Sequence, residues 1–267
     1  MPDYQANCIT PKPWGYSPQE LLVMLRESIQ YYVKDNKQKV NLIVHDWGSY
    51  MGQLYENTYP ESVERLVLLD VGHGIDETIG TVFVILFYQF YFAFSFILSQ
   101  VLGKTAGTIF FGMFFILKFD RTIGPCPNEG KLNRPRREIS AHLCYIYYTF
   151  WKMMLSGNAL TPVLPQCPVL FMYGKQKRVF FHSKKFIKHL NDSPAVNRVV
   201  AFDAGHWFQI VFPKDTANEI KSFIPSIQQQ PVDKTTTNTN DTTSPSTTAA
   251  NSDLLSFIWQ IPGATEL

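Results

Sequence analysis

Val40-Asn41-Leu42-Ile43-Val44-His45-Asp46-Trp47-Gly48-Ser49 is the stretch that decides the architecture. Val40 to Val44 is a short apolar run with the character of a buried strand. Ser49 to Thr58 continues as a helix, so the chain has to turn sharply between His45 and Ser49. Such a turn lifts its central residue out of the backbone and aims it into a pocket, the geometry of a nucleophile elbow. The residue at the apex is Asp46, not a serine. A carboxylate placed there attacks carbon by displacement and leaves an ester on the protein. That chemistry suits opening of an epoxide or loss of a halide rather than cleavage of an ordinary ester.

Upstream, Ser17-Pro18-Gln19-Glu20 followed by LLVMLRESIQYYV reads as a capped helix, with serine at the N-cap, proline at the first position and glutamate at the third. Downstream, Arg65 to Asp70 is a second strand, Pro168 to Tyr173 a third and Arg198 to Phe202 a fourth. Helices are expected near Ser183 to Asn191 and after Pro213. Short apolar strands alternating with helices predict an α/β fold with a parallel sheet and flanking helices. The segment from Gly72 to about residue 160 breaks this rhythm with long aromatic helices and a Pro-rich loop at Thr122–Pro135, and is read as a cap. The expected divisions are 1–71 for the first part of the core, 72–160 for the cap and 161–226 for the rest of the core. From 227 to 267 the run TTTNTNDTTSPSTTAANS marks a low-complexity tail unable to bury a core.

At 267 residues the chain is long enough for one sizeable domain. Its net charge of +2 and 17% charged residues exclude a polyelectrolyte partner, and no basic stripe interleaved with aromatics suggests nucleic acid. Cys8, Cys126, Cys144 and Cys167 form no CxxC pair, so no metal site is expected and reduced thiols in an intracellular compartment are the simplest reading. Met1 to Gln5 lacks the apolar core of a signal peptide. Thr81 to Ser99 carries no charge and has the length to span a bilayer. It contains Gln89 and two tyrosines, however, and falls in the cap. A cytoplasmic protein with a buried or interfacial cap helix and a membrane-associated one are both consistent with it.

Three motifs in order carry a family resemblance. Val44-His45-Asp46-Trp47-Gly48-Ser49 (44–49) resembles the elbow of the α/β-hydrolase fold as found in epoxide hydrolases and haloalkane dehalogenases. Tyr59-Pro60-Glu61-Ser62-Val63-Glu64-Arg65-Leu66-Val67-Leu68-Leu69-Asp70 resembles the end of the elbow helix and the following strand. Ala204-Gly205-His206-Trp207-Phe208 (204–208) resembles the loop carrying the family's histidine. The resemblance implies a cofactor-free hydrolase with Asp46 as nucleophile and His206 as the base that activates water against the ester. It also implies an oxyanion donor at the Trp47 N–H.

The acid that orients the histidine usually follows the strand equivalent to Pro168–Tyr173. Gly174-Lys175-Gln176-Lys177-Arg178 offers no carboxylate there. A cation in that place cannot accept from the imidazole and disfavours the imidazolium. Asp70 is the substitute, on a strand where some haloalkane dehalogenases carry their acid; alternatively it caps the turn Val71-Gly72-His73-Gly74. On this reading Lys177 is a bystander whose loss should matter little. Cap tyrosines donate to the epoxide oxygen in epoxide hydrolases, and Tyr145 and Tyr148, three apart on one helix face, are the candidates. The family's upstream HGxP loop and early strands have no counterpart, so a chain lacking those strands is expected, through a truncated gene model or splice form. The resemblance thus implies an epoxide hydrolase-like enzyme acting on small apolar substrates. A haloalkane dehalogenase-like enzyme and a catalytically silent, membrane-associated relative touching lipid through 81–99 are the alternatives.

Overall fold

The computed structural model describes residues 12–33, 38–75, 78–117, 140–177 and 179–224. The tail at 227–267, the loop at Thr122–Pro135, Cys8 and Cys126 lie outside them. Helix α1 (Pro18–Tyr32) leads to strand β1 (Val40–His45), α2 (Trp47–Thr58) and, after a 3-10 turn, β2 (Val63–Leu69). The segment expected to form a cap holds α3 (Ile79–Val101), α4 (Lys104–Ile116), a 3-10 turn at Ala141–Cys144 and α5 (Tyr145–Leu155). The core resumes with β3 (Val169–Gly174), α6 (Lys184–Asn191), β4 (Arg198–Phe202), α7 (Phe208–Val211) and α8 (Pro213–Phe223). The four strands lie in the order β1-β2-β3-β4, every pair parallel. Among the described residues, β1 has β2 as its one strand neighbour.

Strand alternation explains the layers. Leu66 and Leu68 face one side with Val169 and Phe171 and pack on Phe186 and Leu190 of α6. Val67 and Leu69 face the other with Leu170 and Met172, under Phe208, Phe223 and Ile224 around α7 and α8. Because both faces are covered there, Leu66–Leu69 of β2 and Val169–Met172 of β3 read as unbroken apolar runs, as parallel central strands do. The α1 start holds the anticipated capping box: Glu20 N–H donates to Ser17 Oγ, and Ser17 N–H to Glu20 Oε2 at 2.9 Å.

Parallel pairing puts every strand's carboxyl end on one rim, where ligands of open α/β sheets bind. His45 and Asp46 leave β1 there, Asp70 leaves β2, Gly174 ends β3, and the loop to His206 follows β4. Gly174 is needed for the rim to close. A Cβ there would lie 2.0 Å from Gly205 O and 2.4 Å from Ala204 O, so the histidine loop rests directly on the β3 backbone. Gly174→Ala should therefore destabilise the fold by at least about 1–3 kcal/mol, the usual cost of overpacking. A urea midpoint equal to that of the unaltered chain would count against this account.

Candidate active site

Asp46 sits between β1 and α2 with φ 54° and ψ −123°, a positive φ that costs a non-glycine residue on the order of 1–3 kcal/mol. The surroundings hold it there. Its N–H donates to Leu69 O (3.3 Å), its carbonyl accepts from Ser49 N–H (2.9 Å), and Ser49 Oγ donates to Val44 O (3.1 Å). Small residues let α2 settle onto β1: a Cβ on Gly52 would meet Val44 Cγ2 at 2.9 Å. Asp46 occupies the N-cap position of α2 but its side chain does not reach the second- or third-residue amides that an N-cap usually holds. Its carboxylate instead accepts from the adjacent Trp47 N–H and lies at the positive end of the helix.

The sheet rim brings the other two sequence-predicted residues to Asp46. His206 Nε2 lies 3.7 Å from Asp46 Oδ2, and His206 Nδ1 donates to Asp70 Oδ2 at 2.5 Å. Asp70 also has a positive φ, of 70°, and its N–H donates to Met172 O at 2.7 Å. Its Oδ1 accepts from Gly174 N–H at 3.3 Å. The Asp70 side chain is thus directed at His206 and β3, not at the turn that follows it. His45 lies beneath, its ring centroid 4.5 Å from that of His206.

Lys177 departs from expectation. It is no bystander: its Nζ lies 2.6 Å from Asp70 Oδ2, with side chains 3% and 0% exposed. A lysine is buried only against a partner anion, and Asp70 is that anion. The order Gly174-Lys175-Gln176-Lys177 carried no signal for which lysine turns inward. The tyrosine pair is also corrected. Tyr145 packs over Gly15, and Tyr148 over Trp14 (5.5 Å) and Phe96 (5.4 Å), so neither faces Asp46. Tyr88 and Tyr147 lie close enough for the Asp46 charge to act on both hydroxyls. Their rings are 6.2 Å apart, Tyr147 meets the Trp47 ring edge-on at 5.1 Å, and its hydroxyl bonds to the Trp47 side chain. Helix periodicity alone could not pick them, because α3 and α5 carry aromatics on every face.

Burial pushes the Asp46 carboxyl above the usual carboxylate range, against the pull of His206. The Asp46 side chain nonetheless keeps 43% exposure, so it is enclosed by protein while facing open space. Burial alone would lower His206. The Asp70 hydrogen bond and the charges of Asp46 and Asp70 overcome this and raise it above its ordinary 6.5. Asp70, against its own burial, is held down at about 2 by His206 and Lys177. Burial, then His206, drops His45 to about 3, so it is neutral. Burial raises Tyr88, and burial with the Asp46 charge raises Tyr147, keeping both as protonated donors. Among the described residues no group of three His, Cys, Asp or Glu side chains is placed to hold a metal. Two surface grooves of about 340 and 420 Å³ run beside Lys12 to Gly15, and neither is lined by Asp46, Asp70 or His206.

This arrangement is a carboxylate at an elbow, a histidine beside it and a buried carboxylate behind the histidine, all on the rim of a parallel sheet. The chain belongs to the α/β-hydrolase fold family, whose sequence profile matches residues 23–213. It is 47% identical over 36 residues to a cis-3-alkyl-4-alkyloxetan-2-one decarboxylase of Shewanella oneidensis, a match covering 14% of this chain and 11% of that protein. A solved structure from Nostoc sp PCC 7120, described as an alpha/beta hydrolase, superposes with a TM-score of 0.52 at 14% identity, covering 81% of this chain and 76% of the other. A laboratory-evolved potato epoxide hydrolase superposes with a TM-score of 0.49 at 16% identity, covering 80% and 78%.

Any step that needs neutral His206 should fail as pH falls through its raised pKa, so the acidic limb of that step is expected above pH 6.5. Asp70→Asn removes the anion that raises it. The limb should then move to lower pH, and the step should slow by roughly two to four orders of magnitude. Stopped-flow rates against pH test both, and a limb that stays in place in the Asp70→Asn variant would show that Asp70 does not act through His206.

Proposed function

We propose that this chain is an epoxide hydrolase-like enzyme that opens strained, apolar oxygen heterocycles through an ester on Asp46. One Asp46 oxygen attacks a ring carbon as the ring C–O bond breaks, and the released alkoxide takes its proton from Tyr147 or Tyr88. His206 Nε2 then removes a proton from water, whose oxygen adds to the Asp46 carboxyl carbon. The resulting oxyanion is held by the Trp47 N–H. Collapse expels the second alkoxide, which takes the proton of the Asp46 carboxyl to complete the diol, and the imidazolium returns its proton to the tyrosinate, so Asp46, His206 and the tyrosine are all restored. The observation that carries the reading is the pair of cap tyrosines over an Asp46 that faces His206 at 3.7 Å.

A halide would need the Trp47 indole N–H, which is engaged with Tyr147, so the dehalogenase-like alternative has less support. The relative from Shewanella is named for a four-membered lactone, a strained oxygen ring as well. A cis-dialkyl β-lactone is accordingly the second substrate class to try. In a His206→Gln variant the first displacement should proceed and the second stall. Intact-mass spectrometry after incubation with apolar epoxides, β-lactones and haloalkanes should show the added mass of a substrate, and peptide mapping should place it on Asp46. An adduct elsewhere would remove Asp46 from the mechanism. No adduct with any of these electrophiles would favour the catalytically silent relative.

We also propose that the cap rests on a lipid surface. The exposed side of α3 is a continuous apolar line, Phe83, Phe87, Phe90, Phe94 and Val101, with Ile109 and Ile116 exposed on neighbouring α4. No charge interrupts it from Ile79 to Val101, and Lys104 and Lys152 flank it. The opposite side of α3 buries Tyr88, Gln89, Phe92, Ser95 and Phe96 against the protein, which argues for lying in the interface rather than crossing the bilayer. Phe83→Ser/Ile116→Ser should weaken co-sedimentation with anionic phospholipid vesicles several-fold. Equal recovery of variant and unaltered chain in the vesicle pellet, or none of either, would refute the lipid contact.

A further inference from the structure

The Lys177 ammonium is held by the Asp70 carboxylate and is nearly out of reach of water. Besides the 2.6 Å contact to Oδ2, its Nζ lies 3.4 Å from the Asp70 backbone oxygen and 5.6 Å from the centre of the Phe180 ring. The Oδ2 atom it touches is the one that accepts from His206 Nδ1, while Oδ1 accepts from Gly174 N–H. We propose that Lys177 is a positioning residue of the site: its ammonium fixes the direction of the Asp70 carboxylate and limits how strongly that carboxylate holds a proton on His206. For its part in turnover this rests on the displacement chemistry above; for its geometry it does not.

The charges facing His206 show why such a limit matters. Asp46 approaches from the turn after β1 and Asp70 from the end of β2, both anions. His45 on β1 is neutral, and Lys177, from the loop after β3, is the one cation among the groups that set the His206 proton affinity. An imidazole between two anions with no counterweight would keep its proton to high pH and be a poor base near neutrality. Lys177 opposes the imidazolium without disturbing the Nδ1 hydrogen bond that orients the ring. An ion pair with a purely structural role would instead stabilise the fold and leave the His206 titration unchanged.

The test reads His206 directly, without substrate. Its imidazole resonances are identified by their loss in His206→Gln and titrated by NMR in the full chain and in Lys177→Met and Lys177→Arg. Lys177→Met should raise the His206 midpoint by on the order of one pH unit, whereas Lys177→Arg, which keeps the charge, should leave it close to the unaltered value. An unchanged midpoint in Lys177→Met, or equal movement in both variants, overturns the proposal. Should Lys177→Met not fold, Lys177→Gln, which keeps a hydrogen-bond donor but loses the charge, takes its place in the titration: a raised His206 midpoint supports the proposal and an unchanged one overturns it. If the His206→Gln chain forms no ester with any electrophile, the displacement reading fails while the titration result still stands.

Discussion

The rim of the sheet depends on one buried anion. Asp70 has no exposed side-chain surface, and a carboxylate taken out of water costs several kcal/mol unless charges and donors replace its hydration. Three groups do so here: Lys177 and the Gly174 N–H from the β3 end, and His206 from the loop after β4. Each belongs to a different piece of chain from Asp70 itself. The carboxylate therefore ties β2 to β3 and to the histidine loop at the place where chemistry is proposed. Removing any one of these partners exposes the others to the full cost of the buried charge.

Two strained residues sit on that rim, Asp46 at φ 54° and Asp70 at φ 70°, and close backbone packing keeps both in place. Asp46 is fixed by Leu69 O and by the seating of α2 on Val44 through Gly52. Asp70 is fixed by Met172 O and by the contact of Gly174 with the Ala204–Gly205 backbone. Glycines at 52 and 174 are thus the condition for aiming two carboxylates at one imidazole. The strain is local, while the packing that sustains it spans the sheet.

Those constraints also explain what the sequence disclosed. The central strands were legible because Leu66–Leu69 and Val169–Met172 are covered on both faces and so read as unbroken apolar runs. The elbow was legible because Asp46-Trp47-Gly48 interrupts such a run. His206 was marked by Gly205 before it and the strand before that. The burial of Lys177 was not legible because it depends on a contact distant in sequence, with Asp70. The Tyr145 and Tyr148 pair failed for a different reason. In a helix as aromatic as α5, spacing tells which residues share a face but not which face meets Asp46.

Helix α3 is apolar on both sides, and the two sides answer to different demands. Its inner side buries Tyr88, Phe92 and Phe96 against the protein, which takes apolar residues. Its outer side presents Phe83 and Phe94, where an ordinary surface helix would place lysines and glutamates. A purely structural lid would need only the inner side. The outer side adds solvent-exposed apolar area that favours aggregation unless something apolar covers it. A substrate apolar enough to enter such a site dissolves in lipid more readily than in water. A cap resting on lipid would then shorten the path from the substrate's reservoir to Asp46 while covering the phenylalanine line, so one helix would meet both demands.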